Sequence, residues 1–362
     1  MNQIASGRDE CAIQLHGPPG ARVRRGVRRA LGALCGVAVA AALVAASAFA
    51  RPGSPDVQPR PAGSVAIFYY PWYGTPARDG GWAHWQQNGN APPSSIASGW
   101  FPARGAYSSS DAAVVRAQMH EIAAAGISTV IVSWWGPGSP ESARFPAVAR
   151  AAHAAGLRVA VHVEPYRDRS PVSLEPALRT FAAQGVSDAY VYDSTDSPDA
   201  EWAQLNARLR GLVRLFANTQ LVGKAKAGGF AGLYTYDVYV YDGSAFPRVC
   251  ASARLNGLLC APSVGPGYDA RRATGDERVR PRADGATYDR MWRDAIRAAA
   301  DIVTITSYNE WHEGTQIEPA RSVGGPYASY DGAYGATGRA AERAYLDRTA
   351  LWAARYRARS GR

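Results

Sequence analysis

From Val65 onward the chain repeats one alternation eight times: a short run rich in β-branched and aromatic residues, then a stretch patterned as a helix. The runs are Val65–Tyr70, Thr129–Trp134, Arg158–Val163, Ala189–Tyr192, Thr219–Gly223, Gly232–Tyr236, Gly257–Ala261 and Ile302–Ser307. Several are apolar throughout, TVIVSWW among them, which suits parallel strands covered on both faces. Helical patterns lie between them at Asp111–Ala125, Glu141–Ala155, Leu174–Gln184, Glu201–Ala217 and Tyr288–Ala300. Asp111, after three serines, is placed to cap the first of these, and Gly126 and Gly156 to end two of them. Eight βα units predict an α/β fold, a single (β/α)8 (TIM) barrel, which takes roughly 250 residues. A doubly wound sheet would lean on a Gly-rich phosphate turn after its first strand. The turn here is Pro71-Trp72-Tyr73-Gly74, and neither a GxGxxG turn nor a Walker-type loop follows a strand.

Upstream of the barrel the chain reads as an address. Arg22, Arg24, Arg25, Arg28 and Arg29 precede an uncharged apolar run, Leu31–Ala50, that ends in the small-x-small site Ala48-Phe49-Ala50. Residues 1–50 have the layout of a secretory signal peptide; an uncleaved signal anchor is the competing reading. Either way the body is expected to be exported: secreted, periplasmic or at the cell surface, and tied to a membrane only through this segment. Residues 51–63 read as a linker, and 64–357 as the folded domain. Net charge is +10, of which +4 falls in the first fifty residues. The remaining +6 is spread thinly, with no basic cluster interleaved with aromatics, so no nucleic-acid partner is expected. With 47% hydrophobic residues a large core is available, and a monomer is expected.

In a barrel of this kind the chemistry sits at the C-terminal ends of the strands. Those ends read Phe68-Tyr69-Tyr70-Pro71-Trp72-Tyr73, Ser133-Trp134-Trp135, His162-Val163-Glu164-Pro165-Tyr166, Tyr192-Asp193, Tyr234-Thr235-Tyr236-Asp237 and, last, Ser307-Tyr308-Asn309-Glu310-Trp311-His312-Glu313. Aromatic rings can stack on the C–H faces of pyranoses, and carboxylates can bond their hydroxyls, so the set suits an oligo- or polysaccharide. Glu310 and Glu313 stand out. Two carboxylates close together in a dry cleft cannot both be charged cheaply, so one becomes a proton donor while the other stays a base. Glycoside hydrolysis needs such a pair. Glu318 is an alternative second member. A metal site built from His312, Glu310, Glu313 and Glu318, with His162 and Glu164 joining, matches no ligand spacing known to us.

The words FYYPWYG, GWAHW, GAYSSSD, VSWWGP, HVEPYRDR, YVYDS, GLYTY, PSVGPGYD and TSYNEWHEGTQIEPA occur in the order found in glycoside hydrolase family 99, the endo-α-1,2-mannosidases and endo-α-1,2-mannanases. The chain resembles that family over residues 64–357. The resemblance implies a (β/α)8 barrel, no metal and no cofactor, and endo-acting cleavage of α-mannosides with retention. It also implies a substrate-assisted route. One Glu takes the proton of the 2-hydroxyl, which closes a 1,2-anhydro sugar; the other serves the leaving oxygen and then the water. Matched along NEWHEG, the first role falls on Glu310 and the second on Glu313. The family's substrate contacts map onto Tyr70, Trp134, His162, Glu164 and Tyr236. Two loops depart from the family. Ala270–Gly275 stands where the family has a stretch like xxIRPWN, and Asp237–Gly243 where it has FATNGF. These departures leave subsite specificity open. Two other readings remain: a non-catalytic sugar-binding barrel, or a hydrolase of the same fold acting on another α-glycan.

Cys11 and Cys35 lie within the targeting segment, which leaves Cys250 and Cys260. In an exported protein they are candidates for a bridge at the base of the seventh strand. The alternative is two free, buried thiols, and the sequence leaves both open.

Overall fold

The structure is a computed structural model that describes residues 63–360. Eight parallel strands close a barrel: β1 (Ser64–Tyr69), β2 (Thr129–Trp134), β3 (Arg158–Val163), β4 (Asp188–Val191), β5 (Arg214–Asn218), β6 (Gly232–Thr235), β7 (Leu259–Val264) and β8 (Ile302–Ile305). Each pairs with its sequence neighbours, and β8 returns to β1 with Ile305 opposite Ile67. The outer layer is α1 (Ala112–Ala124), α2 (Pro140–Ala154), α3 (Pro171–Ala183), α4 (Asp199–Arg208), α5 (Val222–Ala227), α6 (Phe246–Leu255), α7 (Ala286–Arg297) and α8 (Ala344–Ser360). This is the (β/α)8 barrel that the alternation predicts. The signal segment and most of the linker lie outside the described residues.

Local chemistry explains where the elements start and stop. The Asp111 carboxylate accepts from Ala113 N at the head of α1, and Val115, Met119 and Ile122 present one buried stripe to the barrel. Gly126 and Gly156 follow α1 and α2 with φ of 73° and 77°, as expected. Inside the barrel, period-two alternation points Phe68, His162, Tyr190 and Tyr234 at one another. The Phe68 ring lies 4.6 Å from His162, 5.9 Å from Tyr190 and 5.8 Å from Tyr234.

One strand and one helix are misplaced in the sequence reading. A helix through Ala217 and a strand at Thr219–Gly223 are expected, but α4 stops at Arg208 and Arg214–Asn218 is the strand. Gly211, at φ 78°, breaks the helix, and Arg214 then pairs with Asp188 both in register and through its guanidinium at 2.8 Å. Local helical periodicity loses here to a strand position between β4 and β6. Val222 and Gly223, the end of the expected strand, instead begin the helix Val222–Ala227.

Cys250, in α6, is bridged to Cys260, in β7, with Cα atoms 5.1 Å apart. The bridge ties the helix before β7 to the start of the strand that leads into the PSVGPG loop.

Candidate active site

The segment after β8 carries the carboxylate pair and is tied to the end of β1. Tyr308 N donates to Phe68 O at 2.8 Å, the Tyr73 hydroxyl donates to Asn309 O at 3.0 Å, and Trp311 N donates to the Tyr73 hydroxyl at 3.1 Å. Glu310 N donates to the Ser307 hydroxyl at 2.9 Å. On the far side, Asp269 N donates to Glu313 O at 2.7 Å, and Gly314 packs so close to Trp100 that a Cβ there would come within 2.5 Å of the ring.

Glu310 is buried, and burial with the charge of Glu313 pushes its carboxyl well above the usual range. His312 N donates to its Oε1 at 2.9 Å and pulls the other way. Glu313 is pushed up to about 8, by burial first and then by the charge of Asp237. The Tyr236 hydroxyl donates to Glu313 Oε2 at 3.3 Å and opposes that rise, and the Tyr70 hydroxyl donates to Tyr236 at 2.5 Å. The His312 ring stays neutral: burial lowers its pKa to about 4. Its Nε2 faces the carbonyl of His84 at 2.5 Å, so Nε2 carries the proton and Nδ1 stands bare, 3.7 Å from Glu310 Oε1.

Glu164 stands on the opposite side of the barrel mouth. Its Oε1 takes the Ser133 hydroxyl at 2.8 Å and lies 2.8 Å from His162 Nδ1, while His162 Nε2 meets the Tyr234 hydroxyl at 2.9 Å. His162 is thereby fixed with its ring stacked on Tyr236, 5.4 Å away. Next to Tyr236, Asp237 Oδ1 accepts the Tyr192 hydroxyl at 2.9 Å, and burial raises the Asp237 pKa. Asp193 is raised to about 6, chiefly by burial. Tyr70, His162, Glu164, Tyr236, Glu310 and Glu313 thus come together as the sequence reading expects.

Trp134 does not join them. In register with Val163, it points outward, donates from Nε1 to Ser142 of α2 and meets Phe181 of α3 edge-on at 5.3 Å. The alternation of β2 turns Ser133 inward and Trp134 to the helices. The next residue, Trp135, takes the mouth position 6.2 Å from Trp72. Trp72 itself stacks on His84 at 4.4 Å and His312 at 5.4 Å, forming an aromatic wall beside Glu310. Trp72, Trp135, Tyr192 and Asp237 all stand at strand ends in the sequence, and that was the signal for them.

Glu318 is not a second member of the pair. It is fully buried, with its oxygens taken by Arg104 Nε at 3.0 Å, Gln118 at 2.8 Å, Tyr107 at 2.8 Å and Trp311 Nε1 at 2.9 Å. It anchors the far end of the segment after β8. Among the described residues no three His, Cys, Asp or Glu side chains are grouped to hold a metal ion.

The two loops that depart from the family stand beside Glu313. Just past Ala270–Gly275, Arg278 lies over the ring of Tyr239, in Asp237–Gly243, at 5.0 Å and pairs with Asp276 at 2.6 Å; Asp276 also takes the Tyr268 hydroxyl at 2.7 Å. Within Ala270–Gly275, Arg271–Thr274 is a short helix stitched to the segment after β1. Gln87 donates to Ala273 O at 3.2 Å, Asn88 to Arg272 O at 3.2 Å, Asn90 to Arg272 O at 3.1 Å, and Arg272 to Ile96 O at 3.0 Å.

Residues 62–358 match the family described as Glycosyl hydrolase family 99. The chain is similar to a glycoprotein endo-alpha-1,2-mannosidase-like protein of Danio rerio, 33% identical with 74% of each chain covered. It is similar also to the glycoprotein endo-alpha-1,2-mannosidase of Xenopus laevis, 31% identical with 72% of this chain and 71% of that one covered. Among solved structures, the family 99 endo-alpha-mannosidase of Bacteroides thetaiotaomicron superposes with a TM-score of 0.72 at 28% identity, covering 82% of this chain and 98% of that one. With its barrel closed and its carboxylates gathered at the mouth, the chain belongs to glycosyl hydrolase family 99, a family of enzymes that cleave glycosidic bonds.

Proposed function

We propose that the protein is an exported, endo-acting hydrolase of α-mannosidic glycans, with Glu310 as base and Glu313 as general acid and base. The observation that carries this reading is the environment of the pair. Burial raises both carboxyls, so the pair carries a proton at neutral pH; Glu313, raised to about 8, is read as its holder because the backbone N–H groups of His312 and Glu313 pull Glu310 back toward the ionised form. An α-mannoside has an axial 2-hydroxyl anti to the departing oxygen. Glu310 takes its proton, O2 bonds to C1, the C1–O bond to the leaving sugar breaks, and Glu313 protonates that oxygen. Glu313, now ionised, takes a proton from water; the hydroxide oxygen bonds to C1, the C1–O2 bond of the 1,2-anhydro sugar breaks, and O2 recovers its proton from Glu310. Two inversions at C1 give retention, a departure from the usual enzyme-nucleophile scheme. Export agrees with the Cys250–Cys260 bridge, since disulfides persist in oxidising compartments.

A reducing-end assay on α-1,2-linked mannan against other α-glycans tests the substrate class. Glu310→Gln and Glu313→Gln should each lower turnover about 10²–10⁴-fold, with Glu313→Gln partly spared on activated leaving groups that need no proton. Near-full activity in Glu310→Gln, or release of the inverted anomer, overturns the mechanism.

A further inference from the structure

We propose that Asp237 selects the sugar that leaves: its carboxylate accepts a hydroxyl of the residue on the departing side of the cut bond. Its role rests on the proposed function, in which Glu313 serves the leaving oxygen. The two carboxylates of the pair have unlike flanks. Trp72, His84 and His312 stack beside Glu310, with ring centroids 4.4 to 5.5 Å apart. Beside Glu313 the groups are polar: the Tyr236 hydroxyl at 3.3 Å, and next to it Asp237, whose charge pushes the Glu313 pKa up. Glu310 feels chiefly Glu313 and then Glu164 instead. Asp237 thus stands on the Glu313 flank, where the departing sugar lies.

The carboxylate is held in place and still open. The Tyr192 hydroxyl donates to its Oδ1 at 2.9 Å, and the Tyr192 ring is itself wedged edge-on against Tyr236 at 5.4 Å and His162 at 5.8 Å. Asp237, at the end of β6, is thereby tied across the mouth to the end of β4. Tyr192 and Asp237 are only half-buried, unlike Glu310, so both keep access to solvent at the mouth. Among the described residues no side chain but Tyr192 donates to the Asp237 carboxylate. The arginines whose charge reaches this side are engaged: Arg278 pairs with Asp276, and Arg169 donates to the carbonyl oxygens of Tyr192 and Asp193. A half-buried carboxylate with capacity to spare calls for a donor. Asp193 and Glu164 stand on the same side, close enough that Asp193 feels both Glu164 and Asp237. An anionic sugar is therefore repelled, and a neutral hydroxyl fits. Asp237 also opens one of the two loops in which this chain departs from its family, so the contact belongs to this enzyme in particular.

Two substrates with the same glycone separate this role from any effect on the Glu313 proton. An α-1,2-linked mannotetraose cut at its middle bond releases mannobiose; methyl α-1,2-mannobioside releases methanol. Both leaving oxygens need a proton from Glu313, but only the first brings sugar hydroxyls to Asp237. In Asp237→Ala the ratio of kcat/KM, tetraose over methyl glycoside, should fall at least about tenfold, as the loss of a hydrogen bond to a charged group does. Tyr192→Phe keeps the ring and frees the carboxylate to turn, and should lower the same ratio by less. A ratio equal to the parent's in either variant overturns the role of Asp237. A parent that cuts maltotetraose and neither mannoside overturns the proposed substrate class instead, and the ratio is then read on maltotetraose and methyl α-maltoside.

Discussion

The side-chain amide of Asn309 pairs with both main-chain polar groups of Tyr70, taking its N–H at 2.7 Å and donating to its carbonyl at 2.9 Å. The amide copies a peptide and so adds a rung to the β1–β8 ladder beyond Ile67 and Ile305. Tyr70 and Glu310, at the ends of adjacent strands, are thereby held at fixed separation. Asn309→Asp replaces the donor by an oxygen facing the Tyr70 carbonyl. It should cost about 1–3 kcal/mol in urea unfolding. Turnover should fall at least tenfold, with Asn309→Gln giving no rescue. Parental stability and turnover in the Asp variant would refute the pairing's importance.

The pH profile of kcat/KM should fall as pH rises through about 8, where Glu313 loses its proton. Two variants should displace that limb in opposite directions. Asp237→Asn removes a repelling charge and moves it to lower pH; Tyr236→Phe removes a donor to the carboxylate and moves it higher. Displacement of both in one direction would contradict the assignment of the limb to Glu313. Stability follows the same group. Its folded pKa lies above the ordinary 4.5, so its contribution is fully present below about 4.5 and is lost as pH climbs through about 8. Glu313→Gln should therefore melt higher than the parent above pH 8 and gain little near pH 4.

Trp134→Ala and Trp135→Ala separate packing from binding. The first removes a buried ring wedged against Ser142 and Phe181, and should cost about 3–5 kcal/mol with KM nearly unchanged. The second should raise KM with little change in melting temperature. The reverse pattern would return Trp134 to the cleft.

Much of this was legible in the sequence because a barrel writes its chemistry at strand ends. Tyr70, Glu164, Tyr236, Glu310 and Glu313 each follow an apolar run within a residue or a few. What failed was direction and commitment. Trp134 and Trp135 are adjacent and identical in type, and only the register of β2 decides which faces the mouth. Glu318 resembles its neighbours in sequence, but its partners Arg104, Tyr107 and Gln118 lie some two hundred residues away and carry no local signal. The β5 strand hid behind a helical pattern that ran on through Gly211.

The Cys250–Cys260 bridge closes a loop of about eleven residues, which by chain entropy stabilises by about 2–3 kcal/mol. Reduction of the parent and the double Ser variant should lower the urea midpoint by the same amount, with kcat unaffected. A midpoint indifferent to both would show that the bridge adds nothing to the fold.

The seam between the segment after β1 and the Arg271–Thr274 turn has an asymmetry with evolutionary weight. Gln87, Asn88 and Asn90 grip carbonyl oxygens, and every residue has one, so that side of the seam makes no demand on the identity of what it holds. Apart from Arg272, whose guanidinium reaches Ile96 O, the segment can change its side chains while these three bonds keep it sewn to the wall. Divergence can thus collect at Ala270–Gly275 and remodel what the enzyme accepts, with no toll on the barrel or on the two glutamates beneath it.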